Sequence, residues 1–153
     1  MYNDGTFTME SGAVSGNTAE VSGGVHSTDK VILSGDVQLT GNTGGNLAVY
    51  DHGQGTGLYV DGPMENAKVD FSHYVQNEDG DWERATSGVA VQGFLQHNDA
   101  EKLQEMFSEE SGLQLDTDGE NLVFVTVVEL PPKTGDSSQP ACGLCSRCSA
   151  PRL

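Results

Sequence analysis

Between Met1 and Ala141 the chain has no cysteine. A disulfide framework therefore cannot hold this part of the protein together. Cations are nearly as scarce: Lys and Arg total 7 against 23 Asp and Glu, a formal net charge of −16. Only Lys30, Lys68, Arg84 and Lys102 precede the terminal stretch. Such a surface repels phosphate backbones and anionic lipid, which argues against a nucleic-acid partner. No apolar run is long enough to span a bilayer, and the amino-terminal residues lack the basic-then-apolar pattern of a signal peptide. Aromatic residues are few, at 7%, and long helical periodicity is almost absent. What the chain does have is glycine, 20 of its 153 residues, a composition that suits a β protein with many tight turns. The length fits one domain with appendages.

A repeat organises the first half. "TFTMESGAVSGNT" (Thr6 to Thr18) and "KVILSGDVQLTGNT" (Lys30 to Thr43) each open on a β-rich run, pass a Gly-containing turn and close on Gly-Asn-Thr. The closing asparagines, Asn17 and Asn42, lie 42 − 17 = 25 residues apart. A weaker third unit follows, with Leu47, Val49, Leu58 and Val60 as its apolar positions and Asn66 as its closing asparagine. Short strands recurring at this interval predict the coils of a β-solenoid, with Phe7, Met9, Val31 and Leu33 facing inward. One coil cannot bury its own inner face, so about three or more must stack. Asparagines at stacked turns can then hydrogen-bond along the stack. The competing arrangement is an antiparallel meander, whose strands also recur at short intervals. The repeated Gly-Asn-Thr favours the solenoid. Met1 begins almost inside a strand with no capping segment before it, so it is expected to be an internal methionine of a longer protein.

The stretch "MYNDGTFTMESGAVSGNTAEVSGGVHSTDKVILSGDVQLTGNTGGNLAVYDHGQGTGLYVDGPMENAKVDF" resembles the last coils of large surface proteins of gut Gram-positive bacteria. Those are adhesin-like proteins built as right-handed parallel β-helices. The resemblance covers roughly the first half of the chain and implies a mainly β fold in which the coils serve largely as scaffold. The expected division is β-helix coils over 1–66, a small α+β capping region over 67–129, and a disordered tail over 130–153. Within the cap, "NDAEKLQEMFSEES" carries the only helical pattern, predicting a helix near 98–111 capped by Asn98 or Asp99, with Leu103, Met106 and Phe107 on one face. "LQLDTDGENLVFVTVVEL" predicts a hairpin near 113–128 around Asp118-Gly119, placing Leu113 and Leu115 opposite Leu122 and Phe124.

Candidate chemistry within the coils and cap is sparse. "NEDGDWE" and "DTDGE" look like pieces of calcium loops, but neither has a distal bidentate Glu at the right offset, and both read as Asx-Gly turns. His26, His52, His73 and His97 are scattered without i, i+4 pairing, so no zinc site is expected. No cofactor is implied. A polysaccharide lyase or hydrolase would need paired carboxylates on one solenoid face, for which Asp36 and Asp51 are the candidates.

The tail carries the functional signal. "LPPKTGD" resembles a sorting signal of the LPxTG type read by sortase transpeptidases. The aligned residues are Pro131, Pro132, Lys133, Thr134 and Gly135, with Pro131 where the family has Leu. Leu130 falls one position early, so the match is to a Pro-Pro-x-Thr-Gly variant. The resemblance implies cleavage between Thr134 and Gly135, and covalent transfer of the Thr134 carbonyl to peptidoglycan. An extended, exposed peptide is required, and Pro131 and Pro132 favour one. The implied partners are a sortase and peptidoglycan, with a glycan or protein ligand for the displayed coils. The implied location is the cell wall.

Beyond the motif, Cys142, Cys145 and Cys148 stand at C-x-x-C-x-x-C spacing. A metal tail is one reading, but a fourth ligand is missing: Cys148 is followed by Ser-Ala-Pro. The other reading is a frameshift. Back-translated in four-fold codon boxes and read from the third base, the stretch from Ala141 encodes an apolar run, compatible with Leu-Trp at its start. On that reading the cysteines replace the membrane span that should follow a sorting motif. The function expected from the sequence is thus a non-enzymatic, adhesin-like surface protein fragment. The alternative is the end of a carbohydrate-active β-helix enzyme whose catalytic coils lie upstream.

Overall fold

The computed structural model describes residues 1–125. Three rungs of short strands stack in parallel. The first holds β1 (Tyr2–Asn3), β2 (Phe7–Met9) and β3 (Gly12–Val14). The second holds β4 (Val25–Ser27), β5 (Lys30–Leu33) and β6 (Val37–Leu39). The third holds β7 (Leu47–Asp51), β8 (Gly57–Val60) and the start of β9 (Lys68–Gln76). Every strand pairs in parallel with its counterpart one rung away: Tyr2 lies beside His26, Phe7 beside Val31, Val31 beside Leu58, and Val14 beside Leu39. The fold is a parallel β-solenoid of about three turns. The antiparallel meander is overturned, since neighbours in sequence do not pair with each other in the coils.

Alternation along each strand explains the stacking. Val31 and Leu33 are buried while Lys30 and Ile32 face outward, and Val37 and Leu39 are buried on either side of Gln38. Each inner face is covered by its own coil and by the rungs above and below. The first rung has a neighbour on one side only among the described residues. Its inward residues Phe7, Met9 and Val14 pack on the core yet stay half exposed, whereas their second-rung partners are fully buried. Gly35, at φ 72°, shows how closely the turns approach: a Cβ there would sit 1.9 Å from the Glu10 carbonyl oxygen of the preceding rung.

The stacked asparagines form part of the expected ladder. Asn42 Oδ1 accepts from both the backbone N–H and the side-chain amide of Asn17, each at 3.1 Å. Asn42 Nδ2 donates to the Val14 carbonyl at 2.8 Å and to Asn46 Oδ1 at 2.9 Å. The third unit departs from the repeat. Asn46, four residues on, joins Asn42, and Asn66 instead donates its backbone N–H to Asp36 Oδ1 at 3.2 Å. The cause is the longer path of the third coil between β7 and β9, which displaces Asn66 from the turn stack.

β9 is the hinge of the architecture. Its first residues lie on β6 (Lys68 beside Gln38), and then it turns the corner so that Phe71 to Val75 lie on β7. The cap is built on this strand. β10 (Trp82–Arg84) pairs with its end antiparallel, while β12 (Phe107–Glu109) pairs with its start in parallel. β11 (Val89–Val91), β13 (Leu115–Asp118) and β14 (Asn121–Phe124) form a separate antiparallel sheet with β14 in the middle. Just past β11, Gln92 exchanges backbone hydrogen bonds with Leu58 and Val60, extending the second stack by one bridge. Phe94 and Phe107 meet edge to face at 5.6 Å, and Phe71 touches both Phe107 and Phe124. The buried apolar residues form one cluster running from Val25 to Phe124.

The helix expected near 98–111 is replaced. The chain instead makes a turn of helix α1 (Phe94–His97), a 3-10 turn over Ala100–Lys102, a second short helix α2 (Leu103–Met106), and then β12. Asn98 is extended (φ −137°) and ends α1; its Oδ1 accepts the Met64 N–H while its amide donates to Gly62 and Phe94 carbonyls. Asp99 makes no side-chain cap. Phe107 to Glu109 pair with an open strand edge, which a continuing helix would leave unsatisfied. Leu103, Met106 and Phe107 are buried all the same, so the apolar spacing reports burial but not helix. The hairpin is present with Leu115 opposite Phe124 and Gly119 at φ 64° in its two-residue loop, but Leu122 lies opposite Thr117, and Leu113 precedes the paired strand. Residues 126–128 of its expected span lie outside the described residues, as does the whole expected tail at 130–153. Among the described residues no helix is long and apolar enough to cross a membrane.

The stacking argument makes a direct test available within one row. Leu33→Ala removes a fully buried side chain and should cost about 2–5 kcal/mol in urea unfolding. Met9→Ala, in the half-covered rung beside it, should cost less than half as much. Equal losses at the two positions would contradict a core sealed only from the second rung onward.

Candidate functional site

The residues to which the sequence assigns a role, Pro131, Pro132, Lys133, Thr134 and Gly135, lie outside the described residues, as do Cys142, Cys145 and Cys148. The described chain ends at Val125, whose backbone N–H still donates to the Gln114 carbonyl at 2.9 Å. That contact belongs to the β13–β14 hairpin.

On the outer side of the first stack runs an aromatic column. Tyr2 and His26 stack at 5.2 Å, His26 and Tyr50 at 4.6 Å, and Tyr50 and Tyr74 at 4.6 Å. These separations match the spacing between hydrogen-bonded strands, about 4.7–4.9 Å, because each ring rises from a successive rung. Trp82 closes the column edge-on to Tyr50 at 5.0 Å and also meets His52 at 4.9 Å. Rings stacked in this way cover one another's faces. The column therefore aligns rungs and offers little open aromatic surface along its length. Burial in the column raises the Tyr50 pKa and, with the nearby amino terminus, lowers that of His26.

Asp36 and Asp51, the carboxylates considered for catalysis, sit in different corners. Asp36 lies in the turn between β5 and β6, where its backbone N–H bonds Ser11 Oγ and its carboxylate takes the Asn66 N–H. Asp51 ends β7 and faces His73, whose Nε2 is 3.2 Å from Asp51 Oδ2. Thr56 Oγ1 and the Gly53 N–H also donate to Asp51 Oδ1, both at 2.7 Å. Burial pushes the Asp51 pKa up, but the hydrogen bonds from His73, Thr56 and Gly53 outweigh it and hold the group at about 2. His73 is 2% exposed, stacks edge-on against Phe124, and leaves Nδ1 without a partner. The pair thus ties the third coil to the cap.

A second pair, a half-exposed Arg84 on a buried Glu109, clamps the cap. Arg84 Nη1 is 2.6 Å from Glu109 Oε1 and 3.1 Å from Ser72 Oγ, and Nη2 reaches the Tyr74 hydroxyl at 3.3 Å. The Glu109 side chain is fully buried, and its other oxygen takes the Ser111 N–H at 2.7 Å and the Ser111 hydroxyl. One guanidinium therefore joins β9, β10 and β12. Neither the aromatic column nor these two pairs was anticipated from the sequence. Each depends on residues brought together by register between rungs, although the recurrence of Tyr2, His26, Tyr50 and Tyr74 at intervals near the repeat length was a visible signal.

The two calcium-like strings are turns, as read. Asn77 Oδ1 accepts the Asp79 and Asp81 N–H groups at 2.9 Å each, and Asp118 ends β13 just before the two-residue hairpin loop Gly119-Glu120. Among the described residues no group of three or more His, Cys, Asp and Glu is placed to hold a metal ion.

No protein-family model matches the chain, and no curated protein or solved structure matches it either.

Two measurements check this electrostatic picture. Arg84→Met should destabilise by about 3–5 kcal/mol in chemical denaturation, because it strands the buried Glu109 carboxylate; adding Glu109→Gln should restore most of the loss. For Asp51, the folded pKa of about 2 lies below the ordinary 3.8, so its contribution to stability is full above about pH 4 and fades as pH falls toward 2. Asp51→Asn should flatten the acid-unfolding curve over that window. An unchanged slope would show that the His73 contact does not stabilise the carboxylate.

Proposed function

We propose that the chain is the C-terminal part of a wall-anchored, adhesin-like surface protein and acts as a substrate of sortase. The observation that carries this reading is the sequence Pro131-Pro132-Lys133-Thr134-Gly135, placed directly after a solenoid and its cap. The repeat wording of the first coils supports it, since it is similar to that of Gram-positive β-helix surface proteins. So does the strongly acidic composition, which keeps a displayed domain soluble and away from anionic polymers.

In this role the coils and cap are a stiff body, and the motif is the tether. The sortase cysteine thiolate attacks the Thr134 carbonyl carbon, the Thr134–Gly135 bond breaks, and the Gly135 amine leaves with a proton. A thioester to Thr134 remains. A peptidoglycan amine then attacks the same carbonyl, releases the thiol and leaves an amide. The chain contributes no catalytic group; prolines such as Pro131 and Pro132 favour the extended peptide that the enzyme requires. Lys133 fills the variable position of the motif.

The test is transpeptidation in vitro with purified sortases of several classes and a triglycine nucleophile, read by mass spectrometry. The expected product is the chain ending at Thr134 with triglycine attached, and Thr134→Ala should reduce it below detection. Absence of any product with every class, or cleavage elsewhere than Thr134–Gly135, would overturn the reading.

A further inference from the structure

Two open clefts meet at α1. The first, about 390 Å³, lies on the outer side of the second stack and is lined by Lys30, Tyr59, Asp61, Gln92 and Asn121. The second, about 330 Å³, lies on the far side of the helix and is lined by Pro63, Glu65, Asp99 and Lys102. Gln96 and His97 belong to both. Each volume falls at the lower end of the range for small-molecule sites, roughly 300–1,000 Å³. The register accounts for the first cleft: Thr8, Ile32, Tyr59 and Gln92 follow one another up the outer face, and the cap chain then turns over that row at Gly93.

Three observations identify what this groove would take. First, several of its polar side chains are unspent. Those of Gln92, Gln96, His97 and Lys102 make no hydrogen bond or ion pair among the described residues. Second, the charges are mixed. Of the four described Lys and Arg residues, Arg84 is held by Glu109 and Lys68 reaches the Glu105 carbonyl. The two without an anionic or carbonyl partner, Lys30 and Lys102, line the two clefts, Lys30 with Asp61 in the first and Lys102 with Glu65 and Asp99 in the second. Third, Tyr59 and Ile32 give it a modest apolar floor, with the Lys30 ammonium 4.7 Å from the Tyr59 ring centroid.

Amides, carboxylates and ammonium groups interleaved in this way suit a ligand whose groups both donate and accept. Hydroxyl groups do so, whereas a polyanion would meet Asp61 in the first cleft and Glu65 and Asp99 in the second, and a lipid chain would meet too little apolar surface. From these features we infer that the groove around Gln96 and His97 binds a neutral oligosaccharide, its hydroxyls bonded by Lys30, Gln92, Gln96 and Asp61 and its apolar face set beside Ile32 and Tyr59. This names a ligand class for the displayed protein proposed above and rests on that reading for its biological setting. The binding itself requires only the fold.

The experiment is an amide-resolved NMR titration of the full chain with maltotriose, cellotriose, xylotriose and tri-N-acetylchitotriose, and with trigalacturonate as the charged comparison. One of the neutral trisaccharides should shift amides of Lys30 and of Gln92 to His97. Gln96→Ala and Lys30→Ala should each weaken that binding about tenfold, as expected for loss of one good hydrogen bond, with signals elsewhere unchanged. The inference is overturned if none of the four binds at millimolar concentration, or if the shifts fall outside the groove. Binding of trigalacturonate alone, abolished by salt, would overturn it too. None of these failures touches transpeptidation at Thr134, and failure of transpeptidation leaves the titration as it stands.

Discussion

The inner face of one rung is apolar and too narrow to hide itself, and the rest of the molecule follows from that. At about 25 cal/mol per Å² of apolar surface removed from water, the gain comes only where a second rung lies over the first. Val31 illustrates the dependence: it lies between Phe7 and Leu58, and it is fully buried because both are there. Parallel pairing follows, since successive rungs are traversed in the same sense. So does the turn chemistry, because corners that repeat must pass within hydrogen-bond reach, as Asn17 and Asn42 do.

The same constraint explains the cap. A solenoid left open at the far end would expose the third rung's inner face and the edges of its strands. Here β9 turns the corner and supplies the next rung itself, and the aromatic cluster of Phe71, Phe94, Phe107 and Phe124 fills the space above. The polar clamps fix the arrangement at its two sides. His73 with Asp51 fastens one corner, and Arg84 with Glu109 fastens the other. The first joins β7 of the coils to β9, and the second joins β10 and β12 of the cap across β9.

What was legible in the sequence was the part governed by local rules. Alternation in "KVILSGDVQL" gave the inward residues, and repeated Gly-Asn-Thr gave the stacked turns. Asp118-Gly119 gave the hairpin. The rules failed where a distant partner overrode local preference. Asn66 has the right residue type and nearly the right interval, but the longer third coil moves it off the stack, and Asn46 takes its place. Leu103, Met106 and Phe107 carry a helical spacing of apolar residues, yet from Phe107 onward the edge of β9 offers hydrogen bonds that a helix cannot reach. The groove beside α1 was illegible for the same reason: Lys30, Tyr59 and Gln96 come from a coil, the next coil and the cap, and nothing along the chain announces that they meet.

The position of β14 has a mechanical meaning. It is the middle strand of its sheet, flanked by β11 on one side and β13 on the other, and both neighbours run antiparallel to it. Tension entering at Val125 along the strand would act on both ladders together, as shear, and would not peel them one bond at a time. A strand at the edge would have begun to unzip under a much smaller pull. An end held in this manner passes load into the coils before it gives way.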